Sequence, residues 1–180
     1  MRRALPWVGA AVVGAALVHV VAVWAIPRAI MMGTMIAMAR RQGRNVAEYA
    51  PRADETSHAV VRPSPDLLYS LCVFDVADGP LQITADVPRD TYWSVSMFAA
   101  NTDNFFVLND RQATGGHVAL VLASPGAVVE VPAGAVRVDA PSDRGIVLVR
   151  TLVSDETRLA ELDAVRRTFR CAPQPDPRRS

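Results

Sequence analysis

The chain has 180 residues with 19 basic and 18 acidic side chains, a formal charge of +1 that argues against a nucleic-acid surface or a strongly acidic partner. Every basic residue is arginine, which excludes mechanisms that need a lysine Schiff base, a lysine general base or a phosphate-loop lysine. His19, His58 and His117 are its only imidazoles, so acid–base chemistry has few places to sit.

Residues 1–4 form a short basic N-terminus, and Leu5 to Ile26 follow as 22 residues without a formal charge. As a helix they extend about 33 Å, close to the ~30 Å hydrocarbon thickness of a bilayer. Seven Val, two Leu and one Ile favour insertion. Trp7 and Trp24, roughly 25 Å apart along the axis, suit the two headgroup regions. The segment therefore reads as a transmembrane anchor whose partner is the lipid bilayer. A cleaved signal peptide is the rival reading, with Arg2 and Arg3 as its basic region and Val23-Trp24-Ala25 as a loose cleavage box. The apolar run is longer than the usual ~7–15 residues, and Ile26-Pro27 makes a poor new terminus, which favours an uncleaved anchor. Arginines flank the span on both sides, Arg2 and Arg3 before it and Arg28, Arg40, Arg41 and Arg44 after it, so charge does not orient it. A folded domain after such a span can be translocated regardless of charge, and the reading adopted is a bacterial inner-membrane protein with a periplasmic domain. Ala10-x-x-x-Gly14 and Ala11-x-x-x-Ala15 offer a small-residue face for a homodimer of spans. His19 lies within the span and has no ionisable partner there.

Residues 27–59 read as a juxtamembrane helix and a linker. Met31, Met35 and Met38 recur at helical spacing, with Arg40 and Arg41 closing the last turn. Packing by adaptable thioethers is the favoured reading, and copper(I) handling by the same sulfurs is the alternative. Polar residues with Pro51 and Pro63 then suit an irregular connection.

Residues 60–171 read as a β-rich domain. Apolar and β-branched segments at Leu68–Val76, Leu81–Val87, Thr91–Phe98, Phe105–Asn109, Val118–Ala123, Val128–Val131, Val136–Val138 and Ile146–Leu152 predict eight strands. Turn signals such as Asp78-Gly79-Pro80, Thr114-Gly115-Gly116 and Pro125-Gly126 separate them at the spacing of an antiparallel sandwich or partly closed barrel. A C-terminal helix is predicted from Asp155 to Phe169, capped by Ser154, with Leu159, Leu162, Val165 and Phe169 as its apolar stripe. Residues 172–180, with three prolines, read as a disordered tail. The fold expected is mainly β with one C-terminal helix, preceded by an N-terminal transmembrane helix. Cys72 and Cys171 are able to form a disulfide closing a long loop, or to remain reduced, and the sequence leaves both open.

The ordered series Val61-Arg62-Pro63-Ser64-Pro65-Asp66-Leu67-Leu68-Tyr69-Ser70, Asp78-Gly79-Pro80, Tyr92-Trp93-Ser94-Val95-Ser96, Asn101-Thr102-Asp103-Asn104-Phe105-Phe106 and Ala140-Pro141-Ser142 resembles the domain of unknown function 1254 family. The resemblance spans nearly all of residues 60–152 and implies a bacterial protein with a β-rich domain and no established activity. Larger members carry an Asn-Arg-Asp-x-x-Tyr element, of which only Asp66 and Tyr69 have counterparts here, Ser64 and Pro65 standing in place of Asn and Arg. The second domain of many larger members has no room in these 180 residues.

Asp66 and Tyr69, an acceptor and a phenol, are candidate ligand-binding residues at the mouth of the sandwich, although the favoured reading is local, with Asp66 capping the turn after Pro65 and Tyr69 packing on the sheet edge. Asn101 and Asp103 add oxygen ligands in a loop without calcium-loop spacing. Ser94 and Ser96 read as the polar face of a strand, without a nucleophile elbow. His58 and His117 have no metal-ligand spacing beside them, and no motif points to a metal or a cofactor. The leading reading is a membrane-anchored binding or structural module. The alternatives are a hydrolase-like envelope enzyme at Asp66 and Tyr69, assisted by Asn101 or Asp103, and a Met-rich metal-handling protein.

Overall fold

The computed structural model describes residues 5–57, 63–113 and 115–175; the predicted basic N-terminus, His58 and the last five residues lie outside them. One helix, α1, runs from Leu5 to Gln42 over 38 residues. Pro27 sits inside it, where its ring removes the N–H that would bond the carbonyl of Val23. Gly43 stops the helix at φ +92°, donating to the carbonyl of Ala39 at 2.8 Å, a left-handed C-terminal cap that glycine adopts without strain. From Trp7 to Ile30 every side chain is exposed or half-buried. Beyond that point Met31 and Met35 are buried against Val73 and Ile146, with Met38, Leu71, Phe98 and Ala100 around them.

The remainder is two packed sheets. Strands β1 (Glu48–Tyr49), β2 (Leu67–Asp75), β4 (Trp93–Ala99), β5 (Asn104–Asn109) and β8 (Arg144–Leu152) form a five-stranded sheet in the order β1-β2-β8-β4-β5. Strands β3 (Leu81–Asp86), β6 (His117–Ala123), β7 (Val136–Asp139) and β9 (Arg170–Pro173) form the second, in the order β7-β6-β3-β9. The sheets stay open, so the architecture is the sandwich, not the barrel. Period-2 alternation drives Phe74, Trp93, Met97 and Val147 of the first sheet against Leu81, Ile83, Leu120 and Leu122 of the second. Cys72 and Cys171, 99 positions apart, are joined by a disulfide that ties β2 to β9 across the core.

The structure departs from the predicted elements in four places. Glu48–Tyr49, expected in the linker, pairs antiparallel with Leu71 and Ser70. Val128–Val131 is no strand: Val128 is fully exposed in the crossover loop that brings β7 parallel to β6. The C-terminal helix, α2, covers only Leu159–Arg166, after a 3₁₀ turn at Glu156–Arg158 whose cap is Asp155, accepting from the N–H of Thr157, and not Ser154. Phe169 is wholly buried in the core, and Arg170–Pro173 pairs with β3, so part of the expected tail is a strand.

Gly145 is the tightest point of the sheet. A Cβ there would collide with the carbonyl oxygen of Phe98 and the ring of Phe74. Gly145→Ala therefore lowers stability by at least the ~1–3 kcal/mol typical of overpacking, because one obstacle is backbone and cannot rotate away. Urea unfolding of the detergent-solubilised chain checks this, with a midpoint well below wild type as the expected result.

Candidate functional site

The sheet register places the four candidate binding residues at two ends. Leu67 pairs with Leu152, so Asp66 stands just beyond one end of β8, and the carbonyl of Asp66 accepts from Val153 at 2.8 Å. Ala99 pairs with Gly145, so Asn101 and Asp103 stand beyond the other end. Those partners, Leu152 and Gly145, are seven positions apart along β8, about 23 Å at ~3.3 Å per residue. Asp66 and Tyr69 thus do not converge with Asn101 and Asp103, and the four do not form one catalytic mouth.

At the Asp66 end, local bonding accounts for what the side chains do. Asp66 is exposed, and its N–H donates to Ser64 Oγ at 3.3 Å. The hydroxyl of Tyr69 accepts from the N–H of Ser64 at 3.0 Å. Beside them Arg166, only 5% exposed, donates to the carbonyls of Ala50 and Tyr69 at 2.9 and 2.7 Å and pairs with Asp163. Arg52 pairs with Glu156 on the surface of the same end.

At the other end, the β4–β5 loop and the turn before β8 face α1 across a cavity of about 530 Å³. Arg28, Met32 and Met35 form its helix wall, and Asn101, Asp103 and Arg144 its polar opposite wall. The loop is held by an Asx turn in which Asp103 N–H donates to Asn101 Oδ1 at 3.1 Å and Asn101 Nδ2 donates to Asp103 Oδ2 at 2.5 Å. Thr102 takes a left-handed φ of +76° at its tip. Ser142 Oγ accepts from Ala100 N–H at 3.0 Å and donates to the carbonyl of Arg144, fixing the two loops to each other. Asn101 and Asp103, candidates from the sequence, both lie on the wall of this cavity. Arg28 and Arg144 line the same cavity and are not among those candidates, because Arg28 reads only as a flanking charge and nothing local in the sequence marks Arg144.

Next to this cavity Asp75 binds Arg144 at 2.8 Å and Arg44 at 3.3 Å. A second cavity of about 700 Å³ adjoins it, lined by Asn45, Asp78, Glu130 and Gln174 among others. Burial pushes the Asp75 carboxyl up, but the bond from Arg144, the N–H of Ala77 and the charges of Arg144 and Arg44 hold it below the ordinary carboxylate value. For Asp163, too, burial is outweighed by Arg167 and Arg166, which lower its carboxyl.

The remaining candidates are accounted for by packing or by exposed pairing. His117 is exposed, 2.8 Å from Asp86. Among the described residues no group of three or more His, Cys, Asp or Glu is placed to hold a metal. Met31 and Met35 are packed into aliphatic and aromatic neighbours, the arrangement expected of gap-filling thioethers. Ser94 and Ser96 sit on the outward face of β4 but are covered, and both accept from Arg150, at 3.2 and 3.4 Å.

Fold and site together define an open two-sheet β-sandwich carried on one long apolar helix. Residues 44–173 match the family described as protein of unknown function (DUF1254), and the chain belongs to that family. A crystal structure of the VPA0106 protein from Vibrio parahaemolyticus is similar, with a TM-score of 0.62 and 18% identity, over 89% of this chain and 42% of that one. That likeness shows a shared fold, and this chain spans about two fifths of the length of that protein. A putative uncharacterized protein from Burkholderia cenocepacia aligns with a TM-score of 0.48 and 20% identity, over 67% of this chain and 34% of that one. Comparison with curated proteins finds no match.

Asp75 and Asp163 contribute to the acid response together with the exposed carboxyls of Asp54, Asp155, Glu156 and Glu161, all of them lowered by hydrogen bonds from neighbouring groups. A depressed folded value contributes stability that is present above the unfolded value of ~3.9 and is lost as pH falls through the folded one. Urea midpoints measured downward from pH 6 are expected to hold until about pH 4 and then fall. In Arg144→Gln, Asp75 is depressed less, so the acid-dependent part of the loss is smaller. An identical pH dependence in the two proteins would refute the role given to Arg144.

Proposed function

We propose that this chain is a single-pass, membrane-anchored protein whose β-sandwich serves as a binding or structural module on the periplasmic face of a bacterial inner membrane. The observation that carries the reading is the division of α1. Its Trp7–Ile30 part leaves large apolar side chains such as Trp7, Val12, Leu17 and Val21 more than half exposed. Its Met31–Met38 part is docked on the five-stranded sheet. Exposed apolar surface on all sides of a helix long enough to cross a bilayer is stable in lipid and costly in water. Because the helix runs on through the position of the loose cleavage box into the docked segment, an uncleaved anchor is the economical reading. The disulfide supports an oxidising compartment. A binding or structural role, not catalysis, is supported by the ~23 Å that divides the polar candidates.

Reporter fusions at the C terminus in a bacterial host test placement, and alkaline extraction with intact-mass measurement tests anchoring. Expected are signal only from a reporter active outside the cytoplasm, retention in the membrane pellet, and a mass that includes residues 1–26. Signal only from a cytoplasm-active reporter would sink the periplasmic placement. Release by alkali, or a mass lacking the N-terminal segment, would sink the anchor.

A further inference from the structure

We infer that the cavity between α1 and the β4–β5 loop is a binding site for one phospholipid headgroup of the ethanolamine class, its phosphate on Arg28 and its primary ammonium on Asp103. The inference rests on the membrane-anchored reading above, and its first support is position. Arg28 lies two residues beyond Ile26, about 3 Å further along the axis, while Met35 lies about 13 Å beyond it. A hydrocarbon core of ~30 Å within a bilayer of ~40–45 Å leaves roughly 5–7 Å for each headgroup layer. The helix wall of the cavity therefore begins inside that layer and ends outside it. Its volume of about 530 Å³ is ample for a headgroup.

Charge is the second support. Arg28 makes one hydrogen bond among the described residues, from Nη1 to the carbonyl of Trp24 at 2.7 Å, and stacks over the Trp24 ring at 4.5 Å. A guanidinium has five N–H donors, so most of its capacity is available to a phosphate. Asp103 accepts from Asn101 and has no cationic partner among the described residues. Arg144, by contrast, is already engaged by Asp75. A single cavity thus carries an uncompensated cation on its helix wall, beside Met32 and Met35, and an uncompensated anion on its loop wall. That pattern complements a zwitterion. It disfavours a glycerol headgroup, whose net negative charge would meet Asp103 without an ammonium. It also disfavours choline, because a quaternary ammonium offers Asp103 no N–H and no aromatic ring lines the cavity to receive it.

The test uses the full chain in detergent, with native mass spectrometry after addition of dioleoyl phosphatidylethanolamine, phosphatidylcholine or phosphatidylglycerol. Calorimetric titration with glycerophosphoethanolamine and with inorganic phosphate separates the headgroup from free phosphate. Expected are one ethanolamine lipid per chain and a preference of roughly tenfold over choline, the scale of one charge-assisted hydrogen bond. Asp103→Asn should bring that preference to within about twofold, Asp103→Glu should keep it, and Arg28→Gln should weaken every lipid about tenfold. Thermal melts of the variants matching wild type tie these losses to the cavity. Equal retention of the three lipids by wild type, retention indifferent to both Arg28→Gln and Asp103→Asn, or uptake of inorganic phosphate as tight as that of glycerophosphoethanolamine overturns the inference. Alkaline extraction of the same protein keeps the two readings apart. Release from the membrane with the ethanolamine preference intact overturns the anchor alone, and retention without the preference overturns the headgroup site alone.

Discussion

The contact of Met31 and Met35 with Val73 and Ile146 determines how the long helix meets the sandwich. Residues i and i+4 lie on one side of a helix, so the two thioethers present a single apolar ridge, and unbranched side chains fill the shallow outer face of a pleated sheet without strain. Without that contact, the helix past Pro27 would have almost no neighbours. With it, the chain leaves α1 at Gly43, and Asn45 can take up the end of β2. Asn45 donates its amide to the carbonyl of Asp75 at 2.9 Å and accepts from Asp75 N–H at 2.7 Å, doing with a side chain what a strand does with backbone. Besides its pairing with β8, strand β2 is therefore held by α1 on its outer face, by residues 45–50 on its other edge and by the disulfide through its core face.

The end of the sandwich away from Arg28 is closed by a buried cation. A guanidinium removed from water is stabilising only where nearly every donor is met, since the desolvation cost is several kcal/mol per ion. Arg166 meets that condition with two carbonyls on neighbouring segments and the carboxylate of Asp163 three residues back on its own helix. The hydroxyl of Tyr49 accepts from Arg170 and donates to the carbonyl of Phe169, so β1, α2 and β9 form one polar seam. Lysine, with a point charge on a flexible stem, could not hold the same three acceptors in one plane. Polar capacity at this end is spent on structure, while the Arg28 end keeps a cation and an anion unspent.

Most of the sandwich was legible because its strands carry their own pattern. Leu81-Gln82-Ile83-Thr84-Ala85-Asp86 alternates buried and less buried residues as written. What was not legible depends on partners far away in the chain. Glu48 and Tyr49 form a strand only because β2 offers an edge, and two residues carry no period. Val128–Val131 has strand composition, but the flanking Pro125-Gly126 and Pro132 belong to a crossover that must reverse direction before β7. The predicted helix ran to Phe169 because its apolar spacing fits a helix, whereas the structure spends Phe169 and Cys171 on the core of the second sheet. At the candidate site the polar loop residues were visible. Their grouping with Arg28 and Arg144 follows from the docking angle of α1, which no local sequence feature encodes.

The arginines after the apolar segment show why that distinction matters. As a count, Arg28, Arg40, Arg41 and Arg44 balance the N-terminal arginines and leave the span without a preferred direction. In the folded chain they are not equivalent. Arg41 pairs with Glu48 at 3.6 Å and Arg44 with Asp75 at 3.3 Å, so both are partly neutralised by the sandwich. These pairs form only once the domain has folded, and they bear on where the folded domain rests, not on the direction of insertion. In the proposed arrangement, Arg44 faces its own domain and Arg28 faces the headgroups. Of these arginines after the apolar segment, Arg28 is the one that also lines the α1 cavity. Anchoring depth and headgroup recognition would therefore depend on the same guanidinium, with Trp24 beneath it fixing its height.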